Sequence, residues 1–160
     1  MKCNTHNLLV LALLVLSLAA CSTDAAPDVN LETAEAGETV SRYFDAANSN
    51  HFTLVFPSPI DLTTATFEGV LRRDAAGNRG TVRVYGCRAG GDNFVSRDPN
   101  CEGQERTTGR ISDFSVFISG GSGRVAIYRC LVNGGGDHFV SRDPGCEGQI
   151  SEGLIGHLLN

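Results

Sequence analysis

The sequence predicts an all-β domain of three related units in pseudo-threefold arrangement, with short helical turns and one disulfide bond inside each of two units. Three observations lead to this prediction. One segment occurs twice almost unchanged, glycine-rich turns separate short runs of β-forming residues, and four cysteines fall into two equivalent pairs. The predicted units cover residues 40–80, 81–123 and 124–160.

The repeat is clearest between the second and third units. Residues 92–104 read DNFVSRDPNCEGQ and residues 137–149 read DHFVSRDPGCEGQ, and a Tyr-x-Cys sequence precedes each copy. The period of about 43 residues is the size of a supersecondary unit that buries its apolar face against its neighbours.

The first unit is a weaker copy of the same plan. Asn50, His51 and Phe52 stand where the third unit has Asp, His and Phe, and neither cysteine is present. The ends of the units also match, because each contains a glycine two residues before an aliphatic residue (FEGVL, TTGRI and SEGLI).

Each unit is predicted to contain two strands, a glycine-rich reversal between them and one helical turn. Asp98 and Asp143 each precede a proline, which is the pattern of a capped first helical turn, and Gly103 and Gly148 then end the turn. Residues 114–118 and 125–128 flank a Gly-Gly-Ser-Gly turn and predict a hairpin that joins the second unit to the third.

Closure of the three units into a ring is expected, because exposed strand edges invite unwanted pairing. The expected form is a β-trefoil-like domain or a very small propeller, with residues 154–159 beside the strand at residues 40–44. An open solenoid is the alternative, although three units without capping repeats would leave two apolar ends exposed.

The four cysteines of the repeats are predicted to pair inside their own units, Cys87 with Cys101 and Cys130 with Cys146. Each bridge would close a loop of about fifteen residues and stabilise the domain by ~3 kcal/mol. Pairing between units remains an alternative. A zinc site is disfavoured because none of these thiols has the Cys-x₂-Cys spacing that is typical of zinc ligands.

The N-terminal residues 1–20 have the features of an export signal: Lys2 is followed by an apolar run that is too short to span a bilayer. The sequence Leu18-Ala19-Ala20-Cys21 resembles the lipobox of bacterial lipoproteins. This resemblance implies cleavage before Cys21, lipid on its thiol and attachment to a membrane, which would be the outer membrane if the host has two. A plain secretory signal that ends at Ala20 is the alternative.

Residues 21–39 are predicted to be a flexible, lipidated tether, because their apolar residues are few and acids are spaced along them. A short helix at residues 31–38 is the alternative. The whole chain has 13 Lys and Arg against 18 Asp and Glu, a net charge of −5, and it has no basic run. Nucleic acid is therefore not expected as a partner.

The units resemble tandem repeats with a Tyr-Arg…Gly-Asp-His-Phe core that occur in secreted bacterial proteins and beside hydrolase domains, to which no activity is assigned. Tyr128 and Arg129 with residues 136–139 carry the resemblance most fully, and Asn93 and Asn50 depart from it. The resemblance implies an extracytoplasmic domain.

Four residues are candidates for ligand binding, because they occupy repeated polar positions beside a phenylalanine: His51, Asn93, Asp137 and His138. One interpretation is three equivalent shallow pockets for sugars. The other is structural, with Asp137 bonded to its own turn and each imidazole packed on a neighbouring strand. Glu102 and Glu147 also recur with the repeat and are expected to be solvated or bonded to turn amides.

Catalysis is not predicted, since the polar residues recur with the fold and no nucleophile motif accompanies them. No metal or cofactor is expected. The predicted function is therefore a membrane-anchored binding module of the cell envelope, for a surface glycan or an envelope protein. An envelope hydrolase or a hydrolase inhibitor is the alternative, and it would require one deep, asymmetric cleft.

Overall fold

The computed structural model describes residues 38–56, 65–107 and 113–160. The predicted signal and all of the predicted tether except its last two residues lie outside the described residues, as does Cys21. Within the described ranges, no helix has the length and apolar character that a membrane span requires.

Strands account for 59% of the described residues and there is almost no helix, in agreement with the predicted all-β class. Two single turns of 3₁₀-helix, Cys101–Gly103 and Cys146–Gly148, interrupt the strands. The strands are β1 (Thr39–Asp45), β2 (Asn50–Phe56), β3 (Ala65–Arg73), β4 (Thr81–Ala89), β5 (Asp92–Ser96), β6 (Glu105–Arg106), β7 (Phe114–Phe117), β8 (Arg124–Leu131), β9 (His138–Ser141) and β10 (Ile150–Leu159).

Three antiparallel hairpins, β1–β2, β4–β5 and β8–β9, correspond to the predicted strand pairs of the three units. Their registers are equivalent. Tyr43 pairs with Phe52 in the first hairpin, and the cysteine at the same position of the other two pairs with Phe94 or Phe139. The aromatic residue of each returning strand therefore lies beside the same position of the outgoing strand.

The remaining pairings join the hairpins into one sheet with the open order β2-β1-β3-β10-β7-β4-β5, in which β8 pairs with β10 and β9, and β6 pairs with β4. The predicted hairpin of residues 114–118 and 125–128 is wrong. β7 pairs with β4 and β10, and β8 pairs with β9 and β10.

The expected place of residues 154–159 beside residues 40–44 is also wrong. Both edges of β1 are occupied, one by β2 and the other by β3. The C-terminal strand β10 instead meets β3, where Leu159 pairs with Arg73.

Aliphatic residues from equivalent positions form the main core. Val40, Val84 and Ile127 occupy the same position in β1, β4 and β8, and each has no exposed surface. Leu71 and Ile155 are equivalent residues of β3 and β10 and belong to the same cluster. The repeat therefore encodes core positions as well as turns.

Both predicted disulfide bonds are present. Cys87 is bonded to Cys101 with 5.5 Å between Cα atoms, and Cys130 is bonded to Cys146 with 5.6 Å. Each disulfide packs with the phenylalanine of its own unit, Phe94 or Phe139, in a small buried cluster.

The aspartates bind backbone N–H groups of the turns that contain the second cysteines, but these turns begin at Cys101 and Cys146 rather than at the prolines, and they include Gly103 and Gly148. Asp98 accepts the backbone N–H groups of Asn100 and Glu102 at 2.9 and 3.0 Å, and Asp143 does the same in the third unit. Cys101 and Glu102 have φ of 52° and 57°, and the equivalent residues of the third unit have the same values. This left-handed backbone is uncommon in residues other than glycine.

Candidate functional site

The turns that follow β1, β4 and β8 line one open depression of about 980 Å³. Each turn joins the two strands of a hairpin, so the tips of all three hairpins lie at the same end of the domain. Polar and aromatic side chains from the first two units contribute most of the lining, among them Phe44, Asn48, Ser49, Phe52, Arg88 and Asn93.

His51 is bonded to an aspartate of another unit. Asp137 Oδ1 accepts the backbone N–H of His51 at 2.8 Å, and Asp137 Oδ2 lies 2.5 Å from the imidazole Nδ1. The carboxylate thus fixes both the backbone and the ring of His51. The opposite ring nitrogen, Nε2, lies 3.4 Å from Glu68.

His138 makes the same pair with the second unit. Asp92 Oδ1 accepts the backbone N–H of His138 at 2.9 Å, and Asp92 Oδ2 lies 2.6 Å from Nδ1. Nε2 lies 3.2 Å from Glu152. Hydrogen bonding to Asp92 raises the pKa of His138 above its ordinary value, the nearby charge of Glu152 adds to the increase, and partial burial and Arg129 oppose it.

Asn50 and Asn93 occupy the equivalent positions between the first and second units. Asn50 Oδ1 accepts the backbone N–H of Asn93 at 3.3 Å, and its amide group donates to the carbonyl of Gly91. The aspartate position and the histidine position have therefore both changed to asparagine at the same junction. The two asparagines that depart from the repeat pattern are thus in contact with each other.

An arginine between two glutamates accompanies each of the two Asp–His pairs. Arg129 binds Glu102 of the second unit through both terminal nitrogens, at 2.6 and 3.2 Å, and Glu152 of its own unit through Nε at 2.7 Å. Arg129 also donates to the carbonyl of Val95. These bonds attach the third unit to the second.

Arg42 repeats this arrangement between the first unit and the third. It binds Glu147 through both terminal nitrogens at 2.8 and 3.2 Å, Glu68 through Nε at 2.9 Å, and the carbonyl of Val140. Glu102 and Glu147 are exposed, as one branch of the expectation had it, with 46% and 47% of their side chains accessible. Their carboxylates are bonded to an arginine of another unit, which was not expected, and to a serine of their own unit. Hydrogen bonds from Arg129 and Arg42 lower the pKa of Glu102 and Glu147 respectively, and Ser96 and Ser141 add further bonds.

The four predicted ligand residues differ in whether their side chains already make hydrogen bonds. His51, Asp137 and His138 are engaged in the pairs between units. The side-chain amide of Asn93 makes no hydrogen bond within the described part of the chain, because Asn50 binds only the backbone of Asn93. Asn93 is also the member that lines both the open depression and the narrow gap between β2, β5 and β9.

The structure does not form three equivalent sugar pockets at these residues. His51, Asn93 and Asp137 line the one depression, whereas His138 lines the narrow gap, which holds about 10 Å³. Asp137 does not bind its own turn, as one interpretation expected, because its carboxylate is bound to His51 of the first unit.

The described residues offer no arrangement for nucleophilic catalysis at the histidines. Each imidazole has a carboxylate at both ring nitrogens, so neither can take a proton from a serine or cysteine in this geometry. Ser96 and Ser141 are buried and donate to Glu102 and Glu147. In the described ranges, no group of three or more His, Cys, Asp and Glu side chains is placed to hold a metal ion.

We compared the chain with models of protein families, with curated proteins and with solved structures. None of these three comparisons finds a match.

Sequence reasoning missed Asn50, Asp92, Arg42 and Arg129. A signal for them exists in the repeat itself. Arg42 and Arg129 are equivalent, and Gly86 takes their place in the second unit, where the histidine position is also changed to Asn93. The joint loss of arginine and histidine from one unit indicates that the two positions belong to the same contact.

Proposed function

We propose that the domain is an extracytoplasmic binding module, held at a membrane by lipid on Cys21, and that it binds a glycan in the depression at the hairpin tips. The observation that carries this proposal is the side-chain amide of Asn93, which is free within the described residues and lines that depression. An envelope protein is the other occupant that this surface would suit.

We also propose that the three units surround a pseudo-threefold axis in a β-trefoil-like manner. Support comes from contacts that form a closed cycle: Asn50 of the first unit binds the second, Asp92 of the second binds the third, and Asp137 of the third binds the first. Equivalent residues therefore make equivalent contacts at three junctions. This arrangement would bring the three hairpin tips to one end of the axis.

Binding is favoured over catalysis because the histidine of the depression and two of its aspartates, Asp92 and Asp137, are used to join the units. A hydrolase needs a nucleophile, a base and donors for the oxyanion in one asymmetric set. Here the bases His51 and His138 face carboxylates at both ring nitrogens. A hydrolase inhibitor would bind an enzyme through the same surface without catalysing a reaction, so it would also be a protein-binding module.

A glycan fits the chemistry of the depression. Its hydroxyl groups need planar groups that donate and accept, which an asparagine amide supplies, and its apolar ring faces need aromatic contacts. Asn93, Asn48 and Ser49 supply amides and a hydroxyl, and Phe44 and Phe52 supply rings. Ser49 has φ of 51°, a strained conformation of the kind that is common at binding sites.

A glycan array probed with the chain from residue 21 tests the binding site. We expect at least one class of glycan to bind, and Asn93→Ala to weaken that binding about tenfold, the value of one or two lost hydrogen bonds. Asn133→Ala is the matched control, because Asn133 is an exposed asparagine of the turn after β8 whose side chain does not line the depression. Equal effects of both variants, or an array without signal, would refute the glycan site.

The anchor is tested separately by mass spectrometry of the chain expressed in a bacterium. We expect the N-terminal peptide to begin at Cys21 and to carry diacylglycerol, and Cys21→Ser to abolish both the added mass and recovery with membranes. An unmodified peptide that begins at Cys21 would show a plain secretory signal instead.

A further inference from the structure

The end of the domain opposite the hairpin tips is where β1 begins, and we call it the base. Thr39 pairs with Arg73, Arg73 with Leu159, and Leu159 with Arg124, so these residues lie side by side there. The turns at residues 74–80 and 118–123 belong to the same end, because Ile118 donates to the carbonyl of Gly80.

Arginines dominate the charge of the base. Arg73 and Arg79 are exposed, and Arg124 is half-buried against the ring of Phe117 at 3.6 Å. Among the described residues the acidic side chains at this end are Glu38 and Asp74, and Arg73 donates a hydrogen bond to the backbone oxygen of Asn160 at 3.0 Å. Asp74 is buried and accepts the backbone N–H groups of Ala76 and Ser115, so it is turned away from solvent.

The base also exposes an apolar side chain. Ile118 is 58% exposed, the largest exposed fraction among the large apolar side chains of the described residues. It begins the turn between β7 and β8, and Gly120 and Gly121 follow it. An exposed aliphatic residue at an end of the domain that also carries arginines is suited to contact lipid head groups and the upper part of their chains.

The charge at the hairpin tips has the opposite sign. Asp45, Asp92 and Asp137 line the depression there, with Arg88 as the arginine of the lining. The charge distribution therefore distinguishes the two ends and favours one orientation of the domain near a negatively charged surface.

We propose that the base is a docking surface for a membrane that contains anionic lipid. The inference rests on the proposed anchor for its geometry, because a chain held at Cys21 enters the domain at Thr39, in the base. The residues between Cys21 and Thr39 can span at most about 60 Å. The domain is thus kept within reach of the lipid surface, and docking of the base leaves the depression facing away from it.

The experiment uses the chain from residue 21, coupled through the Cys21 thiol to a maleimide lipid in vesicles. This coupling makes the test independent of natural acylation. The other cysteines of this chain are joined in disulfide bonds. The chain has no tryptophan, so Ser122→Trp in the base and Ala47→Trp at the hairpin tips each introduce a single reporter.

In vesicles of phosphatidylglycerol and brominated phosphatidylcholine, we expect the reporter of Ser122→Trp to be quenched several-fold more strongly than that of Ala47→Trp. The difference should disappear in vesicles of brominated phosphatidylcholine alone. Each arginine that contacts the surface contributes roughly fivefold to the docking equilibrium. Arg73→Gln with Arg79→Gln should therefore reduce the quenching in anionic vesicles strongly.

The matched control is Arg97→Gln with Arg142→Gln, which removes the same charge from exposed positions outside the base and should leave the quenching unchanged. Equal quenching of the two reporters would overturn the proposal, as would equal loss with both pairs of variants. If the acidic residues between positions 22 and 38 bound the arginines of the base in place of lipid, quenching would be the same in neutral and anionic vesicles. That result would also overturn the proposal.

Discussion

Pairs of side chains, rather than single residues, carry the contacts between the units. Asp137 with His51 and Asp92 with His138 are pairs of a carboxylate and an imidazole, whereas Asn50 meets the backbone of Asn93. An aspartate in place of Asn50 would face Asn93 and would lack a charged partner. A histidine in place of Asn93 would face Asn50, whose amide oxygen already accepts the backbone N–H of residue 93. The two asparagines therefore compensate for each other.

The charge of His138 is expected to contribute to stability below neutral pH. Its folded-state pKa is raised above the value of 6.5, mainly by the hydrogen bond to Asp92. This contribution is fully present below pH 6.5 and is lost as the pH rises through the raised folded-state pKa. Urea unfolding of the wild type and of His138→Gln should show a stability difference that shrinks with pH in this window. A constant or growing difference would contradict the charged pair with Asp92.

Gly156 is expected to tolerate no side chain. A Cβ atom there would lie 2.5 Å from Val116 Cγ2 and 2.9 Å from the carbonyl of Phe117, and its φ is +157°. Gly156→Ala should therefore lower the free energy of unfolding by about 1–3 kcal/mol. Gly69→Ala is the control, because no atom lies within 4 Å of its added Cβ. Similar denaturation midpoints of the two variants would contradict the close approach of β10 to β7.

At the scale of the elements, the junctions between hairpins depend on arginines that reach from one unit to the next. Arg129 has a side chain that is only 19% exposed, and it bonds to Glu102, Glu152 and Val95. Equivalent bonds of Arg42 join the first unit to the third. The arginine and glutamate positions of the third junction contain Gly86 and Ile60, and Ile60 lies outside the described residues.

Removal of Arg129 is expected to destabilise the domain by about 2 kcal/mol, because Glu102 and Glu152 lose charged hydrogen bonds in a partly buried site. Arg129→Met tests this in thermal or urea unfolding. Arg97→Met is the matched control and should change stability by less than about 0.5 kcal/mol, since Arg97 is exposed. Equal losses would show that the bonds of Arg129 contribute nothing specific.

The sequence predicted those elements that depend on local pattern. The strand pairs of each hairpin follow from β-forming runs around glycine-rich turns, and the pairing of Cys87 with Cys101 follows from spacing inside one unit. The left-handed backbone of Cys101 and Glu102 could not be predicted, because residues other than glycine rarely adopt it. The contact of β10 with β3 was missed because the occupied edges of β1 depend on the tertiary arrangement.

The candidate site was predicted in part, and the missing part lies in contacts between units. Asn93 and Asp137 were recognised from their repeated position. Asp92 and Asn50 occupy repeated positions too, but their contacts were not predicted, because the sequence alone does not show which units are neighbours. The predicted pockets treated each Asp–His sequence as one group, whereas each aspartate serves the histidine of another unit.

At the scale of the whole molecule, contacts near the tips join the three hairpins in a cycle, with two junctions that contain charged groups and one that contains amides. At the amide junction between the first two units, the side chain of Asn93 makes no hydrogen bond to any described residue and lies at the depression. If the cycle is the organising feature of the domain, the junctions should be interchangeable. Conversion of the amide junction to the charged type is then the most direct test.

That measurement is a double-mutant cycle with Asn50→Asp and Asn93→His, followed by urea unfolding at pH 6. Each single variant should be destabilised, because the carboxylate or the imidazole lacks its partner. The double variant should recover about 1–2 kcal/mol through a new Asp–His pair like those at the other junctions. Additive effects within about 0.5 kcal/mol would contradict the cyclic arrangement of the three units.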